Sequence, residues 1–414
     1  MTQTSPPPKP PADAGDRRAL VVLFGIVFIN LVGFGLVVPL LPFFGDSLNA
    51  EAWQVALMFS AYSVGQFFAE PFWGRLSDRI GRKPVLLITV TANAVGYLML
   101  AFAPNIWVAI GIRLFTGLGA GNVSTVQGYV ADVTPPEKRA GRMGLIGAAF
   151  GAGFIVGPGL SGLLVQEDMG RLGYQLPIFA ACGLAVAAAL GVIFVLKESL
   201  VRSASPPART PFLSGVRDAA ANPVVSRVIV VTLIYMAGFS GMESTFGLWT
   251  GARYDWGARE VAYAFMAVGV VSVICQAMVT GRLARRFGES RVLAAGCLLF
   301  GCGLLGQMLS PAAWVVPVAM AVGAFGMAMT MPNISAMISR ASPPDQQGAM
   351  LGLNMAASSS GRIFGPILAG AMFSGLGHDW PLAVGAVLMI PAAFMALNAG
   401  RAVRRVAIAA APAE

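Results

Sequence analysis

Few side chains in this 414-residue chain combine an ionisable group with an apolar setting, and those few decide what chemistry is open to it. Glu243 stands in Phe239-x-x-Met242-Glu243-x-x-Phe246-x-x-Trp249, the one acid well inside an apolar stretch of the second half. Aromatic rings at i−4 and i+3 on a helix keep water from the carboxyl, which suits a group that takes up and releases a proton. Ionised, the same carboxylate attracts a cationic molecule, and the rings add cation–π contacts. Its place far along its helix leaves a second role open, a hydrogen bond in an outer gate. Arg113 lies about 10 Å inside its helix at 1.5 Å per residue. A charge at such depth costs about 2.5–3.5 kcal/mol on membrane-insertion scales. Proton exchange or cavity electrostatics is one role for it, and a structural bond to carbonyls of neighbouring helices is the other. Arg362 also falls inside an apolar stretch.

Uncharged polar groups in comparable settings are Asn30, Gln66, Asn93, Asn122, Gln276, Asn333 and Asn354. With Phe34, Phe239 and Phe246 they are candidates for the lining of a substrate cavity, although each amide serves equally well as glue between helices. Glu70 and Asp46 sit near helix ends, where a partly hydrated salt bridge suits them better than transport chemistry. Cys182, Cys275, Cys297 and Cys302 have no Cys-x-x-Cys spacing and read as small core residues. The single histidine, His378, stands beside Asp379 in a short connection. No nucleophile, acid–base pair, phosphate loop or metal set is spelled out, so neither enzyme activity nor a cofactor or metal is expected.

These residues need elements to hold them, and composition says which. Hydrophobic residues make up 56% of the chain and charged ones only 11%, with a mean hydropathy of +0.72. A soluble domain carries about 25% charge. The apolar residues gather into twelve runs of about 20, from Ala19–Phe44 to Trp380–Gly400, long enough to cross a bilayer as helices and too long and continuous for barrel strands. The expected fold class is an all-α integral membrane protein of twelve transmembrane helices. The first run is too long for a cleaved signal peptide and lacks its cleavage site. Most of the 28 lysines and arginines fall in alternate connections, the opposite set holding only Arg171, Arg253 and Arg259. Both termini are therefore expected on the cytoplasmic side. The same distribution accounts for the net charge of +9 without a nucleic-acid partner.

The chain also repeats itself. Thr134-Pro135-Pro136-Glu137 through Gly153-Phe-Ile-Val-Gly157-Pro158-x-x-x-Gly162 matches Ser342-Pro343-Pro344-Asp345 through Gly361-Arg-Ile-Phe-Gly365-Pro366-x-x-x-Gly370 without gaps, at an offset of 208. Gly74-Arg75-Leu76 similarly matches Gly281-Arg282-Leu283. Two parallel halves of six helices follow. The expected organisation is a disordered cytoplasmic tail 1–18, an N-terminal half 19–196, a cytoplasmic linker 197–222, a C-terminal half 223–402 and a cytoplasmic tail 403–414. Pro158 and Pro366 bend their helices, while Gly153, Gly157, Gly361 and Gly365 permit close helix packing.

The connection after the second span reads Gly74-Arg-Leu-Ser-Asp78-Arg79-Ile-Gly81-Arg82-Lys83-Pro84. It resembles the loop signature of the major facilitator superfamily at every position. Asn30-x-x-Gly33-x-Gly35-x-x-x-Pro39-x-Leu41-Pro42 in the first span is similar to the pattern of its twelve-helix drug:proton antiporter branch. Arg113-x-x-x-Gly117-x-Gly119 in the fourth span and Gly153-x-x-x-Gly157-Pro158-x-x-Ser161-Gly162 in the fifth are further elements, the latter resembling the motif associated with export. The chain departs from the pattern in having Asn30 where the branch usually has an acid, Ala94-Val95-Gly96-Tyr97 where tetracycline exporters carry one, and Arg285 at the second-half counterpart of Asp78.

The resemblance implies a monomeric secondary transporter of the inner membrane. It would export amphipathic small molecules, cationic ones among them, against inward proton flow by alternating access, with the proton gradient as its energy source. Glu243 and Arg113 are then the proton-coupling candidates. Gly74, Asp78, Arg82 and Asp132 would form a conformational latch in which Asp78 caps the eleventh helix and Arg82 pairs with Asp132. A dedicated transporter of one sugar, siderophore or organic acid, or a lipid flippase, is the competing expectation.

Overall fold

In the computed structural model the backbone is described for residues 14–200, 212–343 and 346–409, and among these residues all regular structure is helical. In the first half, α1 (Ala14–Val37) runs through a 3₁₀ turn at Val38–Leu40 into α2 (Leu41–Asp46), followed by α3 (Ala52–Ile80) and α4 (Arg82–Ala101). The fourth span breaks at Gly121 and Asn122 into α5 (Ile106–Ala120) and α6 (Val123–Asp132); α7 (Pro136–Leu164) and α8 (Arg171–Phe194) complete the half. After a short helix α9 (Phe212–Ala221) comes α10 (Pro223–Tyr254). The next rod joins α11 (Ala258–Cys275) to α12 (Gly281–Phe287) through a π segment, and α13 (Glu289–Met308), α14 (Val315–Ala341), α15 (Gln347–Gly375) and α16 (Trp380–Ala409) follow.

Twelve rods therefore stand where twelve spans are expected. Among the described residues, ten stretches are long and apolar enough to cross a bilayer. The remaining two, α3 and α15, have 29 residues each but carry Glu70, Arg75 and Asp78, or Arg362 and the run Ser358-Ser359-Ser360. They lie between the halves, packed on each other, and so spend less surface on lipid. The tail expected at 1–18 is helical from Ala14, α16 continues past 402 to Ala409, and the expected linker holds α9; residues 1–13, 201–211 and 410–414 of these segments lie outside the described ones.

The duplicated glycines explain how each half holds together. A Cβ on Gly157 would come 2.7 Å from Gly35 Cα, and one on Gly35 would come 2.8 Å from Pro158 Cδ, so α7 lies backbone to backbone on α1. Ser161 Oγ seals the contact by donating to the Leu36 carbonyl at 2.9 Å. In the second half Gly361 and Gly365 press α15 onto Leu233, Met236 and Ala237 of α10, and Ser240 Oγ donates to the Gly361 carbonyl at 3.1 Å. Close approach at small residues is what replaces the hydrophobic effect between helices in lipid.

The third glycine of each copy faces the other way. Gly162 receives Tyr263 of α11 and Gly370 receives Trp53 and Ala56 of α3, so both touch the opposite half. Gly159 against Met266 and Gly269 against the Phe154 carbonyl extend the first seam, while Ser60 Oγ donating to the Ile363 carbonyl at 2.8 Å extends the second. Gly247 of α10 takes Pro42 and Phe43 between the seams. These contacts lie toward the side away from the central linker, called the distal side below, and close it. A polar lock finishes the closure. Glu167 of the first half accepts from the Arg259 amide at the start of α11 (3.0 Å), Arg259 Nη2 donates to the Val165 carbonyl (3.0 Å), and Gly257 leaves the room that the Glu167 carboxyl fills. An anion at a helix N-terminus meets free amides and the positive end of the dipole.

At the linker side the signature loop is a joint. Arg82 reaches Asp78 (Nη1 to Oδ1, 2.8 Å), Ser77 Oγ (2.6 Å) and Asp132 at the end of α6 (Nε to Oδ2, 3.2 Å). Gly128 has no side chain to displace that guanidinium, and Gly74 lies against Ser124 of α6. The cap of Asp78 on the eleventh helix, implied by the resemblance, would act at an N-terminus whose flanking residues 344 and 345 lie outside the described ones. Glu198 adds a contact the motif does not predict. Its carboxylate caps α4, accepting from the amides of Arg82 (2.8 Å) and Lys83 (3.1 Å) and from Ser199 and Leu200. Gly81 is required twice over, by its φ of 113° and by the Glu198 carboxylate where a Cβ would stand. Burial works to raise the Glu198 carboxyl, but the four amides outweigh it and hold the group below its ordinary value.

Two outcomes are expected. Glu167→Gln weakens the lock by about 1 kcal/mol and favours opening of the distal side. Spin labels at Leu172 and Leu376, exposed near the distal ends of the two halves, should then show a larger long-distance population; an unchanged distribution counts against the lock. Glu198→Gln should lower the melting temperature in detergent at neutral pH. Because the folded carboxyl titrates lower than the unfolded one, its contribution is present above the ordinary glutamate value and is lost as pH falls through the depressed one. The gap between wild type and variant should therefore close on acidification.

Candidate functional site

The midpoint of the bundle gathers the ionisable side chains that depth alone singles out. Gly65 of α3 sits on the Leu114 carbonyl, and Gly117 of α5 on the Tyr62 carbonyl, so these helices run in backbone contact. One turn before Gly117, Arg113 thereby comes under Tyr62, its Cζ 4.4 Å from the ring centroid. Arg113 is only 1% exposed, and its Nε has no hydrogen-bond partner. Phe34 of α1 links Tyr62 (5.5 Å between centroids) to Phe154 of α7 (6.3 Å). Asn30, one turn from Phe34, is half-buried, and its Nδ2 lacks a partner. Gly33 gives way to Tyr97, whose Oη would lie 3.2 Å from an added Cβ.

The second half brings Glu243 and Arg362 to the same region. Arg362 is carried there by the contact of Ser60 with Ile363, and it lies within electrostatic reach of Tyr62, Glu70 and Glu243. Glu243 is half-buried on α10, one turn toward the linker side of Gly247 at the distal closure. The cations acting on it are Arg362 from its own half and Arg113 from the other. Among the described residues neither arginine forms an ion pair with a carboxylate. The site therefore bridges the halves with unbonded charges, next to three aromatic rings.

Several expected members stand elsewhere. The rings meant to flank Glu243 are engaged with others, Phe239 with Phe300 (6.3 Å) and Phe246 with Phe265 (5.4 Å), Trp249 and Trp256. Phe246 is wholly buried and belongs to the distal core of the second half. Three of the amides are buried and bonded, two of them between helices and Asn333 within its own. Asn122 Nδ2 donates to Thr89 Oγ1, Asn333 Nδ2 to the Met329 carbonyl, and Asn354 Oδ1 accepts from Thr232 at 2.6 Å. Gln66 is half-buried on α3, while Gln276 is exposed in the π segment Gln276–Thr280. Of the cysteines read as core residues, Cys297 is buried and Cys302 lies exposed on the helix surface. His378 stacks on Phe373 at 4.7 Å, and its neighbour Asp379 holds Trp249 Nε1 (2.7 Å) and Arg253 (3.2 Å).

Tyr62, Phe154 and Arg362 are central here and were given no role by motif or depth. For Arg362 a signal exists. It occupies the place of Phe154 in the duplicated segment, so the second copy puts a charge where the first has a ring.

The comparisons with known proteins agree with this architecture. The model of the Major Facilitator Superfamily matches residues 23–286 and 275–411. The chain is 29% identical over 372 residues to the class C tetracycline resistance protein of Escherichia coli, covering 88% of this chain and 92% of that one. It is 26% identical over 382 residues to multidrug resistance protein 2 of Bacillus subtilis, covering 90% and 93%. Among solved structures, an inward-facing, unoccupied bacterial homologue of the human lysosomal transporter Spinster superposes with a TM-score of 0.80 at 14% identity, over 94% of this chain and 98% of that one. Twelve helices in two repeated halves, the complete signature loop and these matches over nearly the whole length make the chain a member of the Major Facilitator Superfamily.

Proposed function

We propose that the chain exports amphipathic small molecules by proton antiport through alternating access. The observation that carries this reading is the position of Glu243. It is the acid of the second half within electrostatic reach of Arg113 of the first, one turn from the distal closure at Gly247. A carboxylate there attracts a proton when the cavity faces one side and releases it when the halves rock and Arg113 moves relative to it. Drug resistance proteins among the relatives support export as the direction and amphipathic compounds as the cargo. Arginine-rich connections at the linker side fit a cytoplasmic orientation of that side and of both termini in the inner membrane. Proton flow alone supplies the energy, no cofactor takes part, and one chain suffices.

The test is reconstitution of the purified protein in liposomes with a trapped pH-sensitive dye. Lipophilic cations, neutral drugs, zwitterions, sugars and organic acids are added to wild type and Glu243→Gln in turn. Several unrelated amphiphiles should drive proton movement in wild type, and Glu243→Gln should lose at least about tenfold of the rate, the size of effect that about 1.4 kcal/mol represents. Proton movement that survives the substitution would remove Glu243 from the coupling. Silence for every amphiphile with a response to one metabolite would establish a dedicated transporter instead.

A further inference from the structure

The central site holds more positive charge than proton coupling requires. An intramembrane arginine is costly and is ordinarily paired with a carboxylate or with carbonyls. Arg113, nine-tenths buried and more, has neither an ion pair nor a partner for Nε, and its one described contact is the face of Tyr62. Arg362 likewise forms no ion pair among the described residues. The two come from opposite halves: Arg113 stacks on the Tyr62 ring, and Arg362, placed by the Ser60–Ile363 contact, lies within electrostatic reach of the same side chain. Glu243, Glu70 and Tyr97 are the other ionisable groups around them.

Resting on the export reading above, we propose that the cavity takes aromatic zwitterions. A carboxylate of the cargo is held between Arg113 and Arg362, its ring lies along Tyr62, Phe34 and Phe154, and its basic nitrogen meets Glu243. Guanidinium binds carboxylate through directed, charge-assisted hydrogen bonds. An anion shared by arginines of both halves draws the halves together at the cavity, which couples occupancy to rocking. The amine explains exchange. A proton arriving on Glu243 removes the charge that held the ammonium, so proton and cargo compete. A purely anionic cargo would instead be helped by that proton, which suits cotransport and not antiport.

The experiment uses the full chain in nanodiscs and one fluorescent naphthalene scaffold with a carboxylate and a primary amine on separate arms. Its four forms are the zwitterion, the carboxamide, the N-acetyl derivative and the doubly neutral molecule. In wild type the zwitterion should bind at least about tenfold more tightly than the carboxamide, a difference worth about 1.4 kcal/mol. R113Q and R362Q should each shrink that ratio, R113K and R362K should restore part of it, and E243Q should abolish the advantage of the amine while leaving that of the carboxylate. Equal binding of zwitterion and carboxamide by wild type would overturn the proposal without recourse to any variant. So would an equal loss for all four forms in R113Q and R362Q, which is what a structural role for the arginines gives, or binding of none of them. If the carboxamide drives proton movement as well as the zwitterion, export stands and the clamp falls. If no amphiphile drives it, the export reading falls.

Discussion

Everything in this molecule depends on how closely two helix backbones can approach without water to push them together. In lipid an apolar side chain gains little by leaving its surroundings, so packing at short range must supply the attraction. The glycines at 153, 157, 361 and 365 supply it within each half, and those at 65 and 117 bring α3 against α5. The contact at Gly117 also decides the electrostatics, since Arg113 is one turn away and reaches Tyr62 only because the backbones touch. A methyl group at these positions would displace the charge as well as the helix.

Charge is distributed by the same economy. At the two ends of the bundle, where water is near, carboxylates occupy helix N-termini: Glu198 on α4 and Glu167 on α11. Each satisfies amides that would otherwise be orphaned. In the middle the pattern reverses, with Arg113, Arg362 and Glu243 near one another but not in direct pairs. Carboxylates bonded at the ends and charges left unpaired at the centre describe a stable frame around a site free to take a partner.

Much of this was legible in the sequence. A bilayer demands about 20 apolar residues per crossing, so the spans stood out, and α3 and α15 were readable as spans despite their charges because their neighbours left no other place for them. The repeat was legible because duplicated glycines meet duplicated constraints. What spacing could not reveal was which face of a helix meets which neighbour. Phe246 and Glu243 share a face of α10, yet the ring enters the core with Phe265 while the carboxylate looks to the arginines. Asn122 and Asn354 are polar in the same way as Asn30, and only the register between helices separates bonded joints from an unbonded amide. Glu198 lies in a segment whose composition reads as a linker, and its partner is fixed by a glycine 117 positions earlier, Gly81.

Gly162 and Gly370 occupy equivalent places in the repeat, and each forms a seam with the opposite half. The seams flank the bundle as a pair of hinges flank a double door. A rigid rotation of one half about an axis through the centre would part both together. The distal side is thus held shut from both flanks at once. One ancestral segment, copied at an offset of 208, thus supplies the socket on either flank, and the molecule is shut twice by the same device.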